Sequence, residues 1–367
     1  MSVLNRKRRA FEGAPAVGRA QLIDPLADER WARFVDEAAG ANAFHHPAWL
    51  ELLQRSYGYA IRACCIVDSS GAIRAGIPLA LVGGPLRAAR LAALPFSDHC
   101  APLTAPQGDA ELLAELLEAL TALRGELGLA VEVRGPVSAQ TPAQVVDRYH
   151  LHDISLEPDV DAVVQRFGRR SQILRGVRKA EREGLVVERR TDTAALAEFY
   201  DLHVATRRRQ GVPTQPKSFI LGFEQLFARD LGFVLVVRDG ERAIAAAVFL
   251  AFNGTLIYKY GASDPAALGK RPNNLLFLEA IRWGCAAGMH TLDLGRTDIG
   301  HESLREFKSS WGAHERELEY HELGGAPRRA AAAESTGGMA RHIAPIIRRS
   351  PPIVGRMIGA ALYRYAG

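Results

Sequence analysis

Cysteine is scarce in this chain, and the four present, Cys64, Cys65, Cys100 and Cys285, follow no pattern. They show neither CxxC spacing nor a cluster with histidine, which argues against structural zinc and against a disulfide framework. Packed thiols in a reducing compartment are expected, and no residue pattern calls for a metal. Long apolar runs are also missing. No segment approaches the ~20 uninterrupted apolar residues of a spanning helix. The basic start MSVLNRKRRAFEGAPAVGRA is not followed by the apolar stretch of a secretory leader. A cytoplasmic protein is expected. The excess of positive charge is mild, 46 lysines and arginines against 41 acidic residues, or +5. That balance suits nucleotide, tRNA or phospholipid, but it falls short of the bias of a ribosomal-type nucleic-acid binder, and DNA is not an expected partner.

What is present is the composition of a folded soluble protein, 48% hydrophobic and 24% charged. The length of 367 residues allows two cores, since single cores stop growing at roughly 250 to 300 residues. We draw a basic tail over residues 1–20, a first domain over 21–149, a second over 150–323, a linker over 324–338 and a basic amphipathic tail over 339–367. In the first domain Trp31 to Ala39 reads as a helix, and His46-Pro47 starts another carrying Trp49, Leu50, Leu53 and Tyr57. Cys64 to Val67 and Ala75 to Val82 read as strands joined by a turn at Asp68 to Gly71. Ala110 to Leu127 is a periodic helix ending at Gly128, and Leu129 to Val133 a strand.

In the second domain Val160 to Glu183 reads as helical, broken or bent near Gly168. Helices follow over Thr193 to Gln210 and Pro216 to Asp230. Phe233 to Val237, Ala243 to Phe252 and Thr255 to Tyr260 form a strand meander with Asn253-Gly254 as its tightest turn. The stretch from Thr255 to Gly312 then runs strand, helix, strand, breaks at Asp293-Leu294-Gly295, and ends in a short helix carrying Phe307, Lys308 and Trp311. A lysine at the edge of an apolar face after such a unit suits acyl transfer, where a fixed cation can meet the charge developing on a carbonyl oxygen.

The runs FHHPAWLELLQRSYGY, IPLALVGG followed by LPFSDHCAPL, FGRRSQILRGVRKAEREG, LDLGRTD and FKSSWG resemble, in content and order, the FemAB family of transferases. The resemblance spans roughly residues 40 to 320. It implies an α/β (α+β) fold of two tandem GNAT-like domains, each a mixed, mostly antiparallel sheet flanked by helices. It also implies transfer of an acyl or aminoacyl group, from aminoacyl-tRNA or acyl-CoA, to an amine of a cell-envelope or polysaccharide precursor.

Residue by residue, the resemblance gives Lys308 an electrostatic role on the acyl carbonyl and makes Phe307 a stacking surface for the donor. The residues themselves allow Lys308 to lie along Leu304 and Trp311 with its ammonium reaching outward, which equally describes an ordinary surface lysine. Asp293 either orients an amine, holds Arg296, or caps the turn at Gly295; the Asp293 to Thr297 loop is expected to line the cleft. Tyr258 and Tyr260, two apart on a strand, are expected on one face with Leu256, with Lys259 opposite.

Asn273 reads as the N-cap of a helix starting near Asn274, with free N–H groups for an anion. The loop LGKRPNN offers only Gly269 to a CoA pyrophosphate, and Pro272 removes a donor; Lys270 and Arg271 are the nearby cations. In LPFSDHCAPL, Asp98 and His99 are candidate acceptors of the amine proton, or simply turn builders. Arg55 stands near the position where family members carry a phosphate-binding lysine, and Arg207, Arg208 and Arg209 are candidates for a second phosphate contact. The arginines of the helix from Arg166 to Arg182 are either a polyanion stripe or a solvated face. The C-terminal tail alternates isoleucines with arginines, as a membrane-surface element does, or as a helix folded back on the protein would. Two other readings remain open: CoA-dependent N-acylation of an amino sugar or small metabolite, and a non-catalytic membrane-associated scaffold of the same fold.

Overall fold

A computed structural model of the chain describes residues 3–14, 16–17, 20–84, 87–105, 108–137, 141–167, 171–324 and 343–365. The linker drawn over 324–338 lies outside them apart from Gly324. The chain divides into two compact units, one of residues up to Arg148 with 318–324 and 361–365, the other of 149–317 with 343–360.

In the first unit the strands are β1 (Ala16–Val17), β2 (Ala20–Ile23), β3 (Ala60–Val67), β4 (Ile73–Gly84), β5 (Arg87–Ala92), β6 (Leu103–Thr104), β7 (Ala130–Arg134) and, from Leu318 on, β14 (His314–Leu323), whose first residues belong to the second unit. Their order is β1-β2-β3-β4-β5-β7-β14, with β6 beside β4. Only the β5–β7 pair is parallel. The helices are α1 (Val3–Gly13), α2 (Glu29–Glu37), α3 (Pro47–Tyr57) and α4 (Ala110–Leu127). α4 takes the predicted bounds because Asp109 caps the amides of Glu111 and Leu112 and Gly128 closes it at φ +57°. Trp31, Trp49, Phe44 and Phe11 are fully buried. Phe11 belongs to α1, so the basic N-terminal stretch is largely helical and contributes to this core.

The second unit holds β8 (Ala143–Ser155) from Tyr149 on, β9 (Val186–Arg190), β10 (Gly232–Asp239), β11 (Arg242–Phe252), β12 (Thr255–Ser263) and β13 (Thr291–Asp298), in the order β8-β13-β12-β11-β10-β9. Here only β12–β13 is parallel. One face packs against α5 (Val160–Gln165), α6 (Gln172–Arg182) and α10 (Pro272–Ala286), through Phe233, Phe249, Leu256, Phe277 and Trp311. The other meets α7 (Thr193–Gln210), α8 (Lys217–Leu221) and α9 (Glu224–Phe227), where Phe199, Phe219 and Phe223 are buried. The helical stretch expected over 160–183, broken or bent near Gly168, is two helices, α5 and α6, and the single helix expected over 216–230 is the short pair α8 and α9. α11 (Glu302–Ser310), α12 (residues 343–349) and α13 (Pro352–Leu362) complete the chain.

Both units share one pattern: β2-β3-β4-β5, helix α4, then β7 parallel to β5 in the first; β9-β10-β11-β12, helix α10, then β13 parallel to β12 in the second. The duplication that sequence identity hides is visible in this order. The strand beyond the parallel pair comes from far along the chain in the first unit, β14, and from immediately before the second, β8.

Candidate active site

The parallel pair in the second unit is short. Thr255, Leu256 and Ile257 pair with Thr291, Leu292 and Asp293, after which β12 runs on to Ser263 beside β11 and β13 to Asp298 beside β8, no longer paired with each other. The two strands part, leaving backbone edges without a β-ladder partner. Local sequence explains both walls. Asn253 and Gly254 take φ of +46° and +71°, the left-handed pair of a tight hairpin, and launch β12 beside β11. The β11–β12 register then shifts between Val248 and Phe249, which pair with Tyr260 and Tyr258. The extra residue, Lys259, is a bulge and reverses the side-chain alternation. Tyr258 therefore faces α10, its ring 4.8 Å from Phe277, whereas Tyr260 faces α7 and lies against His203, Phe219 and Phe223. The expectation that both tyrosines share a face is corrected by that one inserted residue.

On the other wall, β13 bulges against β8 between Asp293 and Arg296. Buried Asp293 accepts from the Gly295 amide at 2.7 Å, and Gly295 adopts φ +71°. Asp293 thus builds the turn, and Arg296 lies over the Tyr149 ring, 4.1 Å from its centroid. Lys308, on the last turn of α11, is only 4% exposed. Its ammonium turns inward, donating to the carbonyls of Gly295 at 2.6 Å and Arg296 at 3.0 Å. The outward-reaching lysine of the sequence reading is corrected: the bulge presents carbonyl oxygens that a buried cation can satisfy. Phe307, half-buried, packs edge-on to Phe277 at 5.5 Å.

A cavity of about 160 Å³ lies along β12 after the strands part, lined by Tyr258, Gly261, Ala262 and Ser263, by Thr206, Arg209 and Gln210 of α7, by Ala246 and Ala247, and by Asn273, Leu276 and Phe277 of α10. Burial pushes the Tyr258 hydroxyl up to about 12, so it stays a proton donor. α10 begins at Pro272, with Arg271 at its cap position in a left-handed conformation and no side-chain cap. Asn273 is therefore inside the helix, not its cap, and it accepts from Ser263 Oγ at 2.7 Å. Asn274 points elsewhere, toward the Ile173 carbonyl and Gly176 of α6. Lys270 is tied to Asp239 at 2.6 Å.

Of the three consecutive arginines, Arg207 reaches His203 and Arg208 donates to Ser350 O at 2.8 Å, while exposed Arg209 lines the cavity. On α6, Arg175, Arg178, Lys179 and Arg182 are exposed, opposite buried Ile173, Val177 and Ala180; Arg169 and Arg170 lie outside the described residues.

Sequence reasoning missed a polar network beside Lys308. Glu315 of β14 accepts from Arg305 at 2.6 and 2.8 Å and meets His152 at 3.0 Å and His150 at 3.4 Å. The Arg305 hydrogen bonds, with His150 assisting, draw the Glu315 carboxyl down to about 2. Burial, then the nearby Lys308 ammonium, push His152 below its ordinary value. The signal was the alternation in HERELEYHEL, whose charges disguised a strand.

The equivalent place in the first unit is closed. After β5, the Ala93 amide bonds Glu132 O and the Cys100 amide bonds Arg134 O, so the chain stays on β7. The buried Arg134 guanidinium donates to the carbonyls of Leu94 at 2.7 Å and Ser97 at 3.0 Å, and to Glu132 at 2.9 Å. Burial alone would raise the Glu132 carboxyl, but Arg134 and Arg90 hold it below the usual carboxylate range. Asp98, His99 and Arg55 belong to this first unit. The Asp98 carbonyl accepts from Tyr320 at 2.5 Å. His99 lies 3.4 Å from Asn42 and edge-on to Phe44. Arg55 is 69% exposed and pairs with Glu51 at 3.5 Å.

Residues 168–309, within the second unit, match the acetyltransferase (GNAT) domain family. No curated protein sequence is significantly similar to the chain. Among solved structures, FemX is similar at 15% identity, TM-score 0.63, over 82% of this chain and 97% of its own. L-PGS from Bacillus licheniformis is similar at 14% identity, TM-score 0.55, over 90% of this chain and 98% of its own. The parted strands, the matched domain and the fold agree: residues 168–309 carry an acetyltransferase (GNAT) domain, in a chain whose fold is that of GNAT acyltransferases, which supports acyl transfer.

Proposed function

We propose that the protein moves an acyl or aminoacyl group from an activated carrier, aminoacyl-tRNA or acyl-CoA, to an amine of a cell-envelope or polysaccharide precursor. The observation that carries this reading is the parting of β12 from β13 together with the 160 Å³ cavity along β12, lined from α7 and α10, set against the sealed counterpart in the first unit. The cavity is smaller than the roughly 300 to 1,000 Å³ of a whole-ligand pocket. It suits the transferred group and leaves the carrier outside. The amine attacks the carbonyl carbon, negative charge gathers on the carbonyl oxygen, and the carrier's oxygen or sulfur leaves as the amine gives up its proton. Lys308 supplies a fixed positive field on the β13 wall where that charge develops; Tyr258 donates a hydrogen bond to the group held in the cavity, and half-buried Phe307 offers a ring face to the donor. Asp98 or His99 as acceptor of the amine proton, and Arg55, Arg207 and Arg209 as phosphate contacts, remain part of this proposal. The site of action would be the cytoplasm, at the inner face of the membrane where such precursors are made.

CoA-dependent N-acylation of an amino sugar or small metabolite is the second reading, and the match to an acetyltransferase domain favours it. Against it stand Pro272 at the helix start and the engagement of Lys270 by Asp239, which leave few donors for a pyrophosphate. Incubation of purified protein with charged tRNAs and with acyl-CoAs, followed by mass measurement of envelope precursors and amino sugars, separates the two. Mass gain on an envelope precursor, with either donor, supports the first reading; gain confined to an amino sugar or small metabolite with acyl-CoA selects the second.

A further inference from the structure

The C-terminal helices are pinned to the second unit by backbone contacts, and among the described residues their other side is exposed. Gly355 O accepts from the Thr214 amide at 3.2 Å. Gly359 presses so closely on the loop after α7 that a Cβ there would stand 1.8 Å from the Thr214 carbonyl oxygen. The glycines, four apart, form one face of α13. Arg208 and Arg348 tie α12 and its end to α7, through Ser350 O and Gln210 O, and Ile347 is 1% exposed. This segment is held as a formed helix and does not need to fold on a partner.

The opposite face of α13 carries Ile353 at 51% and Met357 at 67% exposure, and on α12 Ile346 is 54% exposed. These three are among only eight exposed large hydrophobic residues in the described chain. They are interleaved with exposed Arg348, Arg349 and Arg356, and no acidic residue follows Glu334 in the sequence. Among the described residues no helix is long and apolar enough to cross a membrane. An arginine-flanked apolar face with no acid in its segment matches the boundary of an anionic lipid bilayer, with guanidinium groups at phosphate level and apolar side chains at the acyl edge.

We infer that the outward face of α12 and α13 docks the protein on an anionic bilayer surface, with Ile353 and Met357 inserted and Arg349 on the lipid phosphates, while Arg356 at the flank stays over the Tyr200 ring. This deepens the proposed function, because it would bring the enzyme to a lipid-linked or membrane-bound acceptor, yet vesicle binding is measured without turnover and stands or falls apart from it. Full-length protein is co-sedimented with phosphatidylglycerol/phosphatidylcholine vesicles and with phosphatidylcholine alone. The expected result is pelleting with the anionic vesicles only, weakened by added salt. Ile353→Asp with Met357→Asp should lower the bound fraction at least tenfold, and Arg349→Gln severalfold, with melting temperatures unchanged because all three side chains are exposed. Equal pelleting by wild type and the double variant, or retention on charged tRNA but on neither vesicle, would overturn it.

Discussion

Tyr258 and Tyr260 differ in surroundings because one inserted lysine separates them. Tyr258 borders the cavity, and Tyr260 is packed among Phe219, Phe223 and His203. Tyr258→Phe should lower kcat/KM about tenfold, the ~1.4 kcal/mol of one hydrogen bond made in the transition state, while Tyr260→Phe should stay within about twofold of wild type. Steady-state kinetics on both variants checks the pair. No reading of YKY as a regular strand could have separated them, since parity is lost only when the neighbouring strand imposes a bulge. Lys308 had a similar fate: its helical neighbours were legible, but the direction of its ammonium depends on carbonyls freed by a distant bulge.

Buried imidazoles set a pH limit at this same scale. Burial pushes His45 down to about 4 and His203 to about 3, and His45 fits a neutral ring that accepts from the Asn42 amide and donates to Ala101 O. In the unfolded chain these rings take up protons near pH 6.5. From there down to the depressed values the unfolded chain holds more protons, so stability falls as pH falls, by as much as ~3 kcal/mol for His45 at pH 4. Above pH 6.5 the contribution is constant. Urea unfolding at pH 7 and pH 4.5 should show the loss, and His45→Gln should remove about half of it, leaving the part due to His203.

At the scale of elements, capped periodic helices were readable. α4 and α7 begin and end where their aspartates and glycines put them. The strands β5, β8 and β14 were not, because their partners are remote in sequence and RAARLA or HERELEYHEL carry charge where apolar alternation was sought. The docking of α13 was also invisible, since it rests on shape at two glycines. Gly359→Val should detach the helix, costing roughly 1–3 kcal/mol, and limited trypsin digestion should then cut rapidly at Arg348, Arg349 and Arg356. Digestion as slow as wild type would show that the contact with Thr214 yields cheaply.

Over the whole molecule, two units of the same strand order have diverged at one place. In the first, Arg134 and Glu132 hold the chain against β7; in the second, β12 leaves β13 and a cavity follows. Truncating a buried paired arginine costs about 3–5 kcal/mol, so Arg134→Met should lower the melting temperature while turnover per folded molecule stays within about twofold. The resemblance in the sequence reached the paired-domain fold, but not which half was open, because that depends on backbone bonds after β5 and β12 that no motif encodes.

The most direct test of the account is the single-turnover rate of acyl transfer by Lys308→Met, measured with whichever donor supports turnover and with folding verified by circular dichroism. Lys308→Met should transfer at least tenfold more slowly than wild type, about 1.4 kcal/mol or more of lost transition-state stabilisation, in a protein that remains folded. A folded variant transferring at the wild-type rate would contradict it.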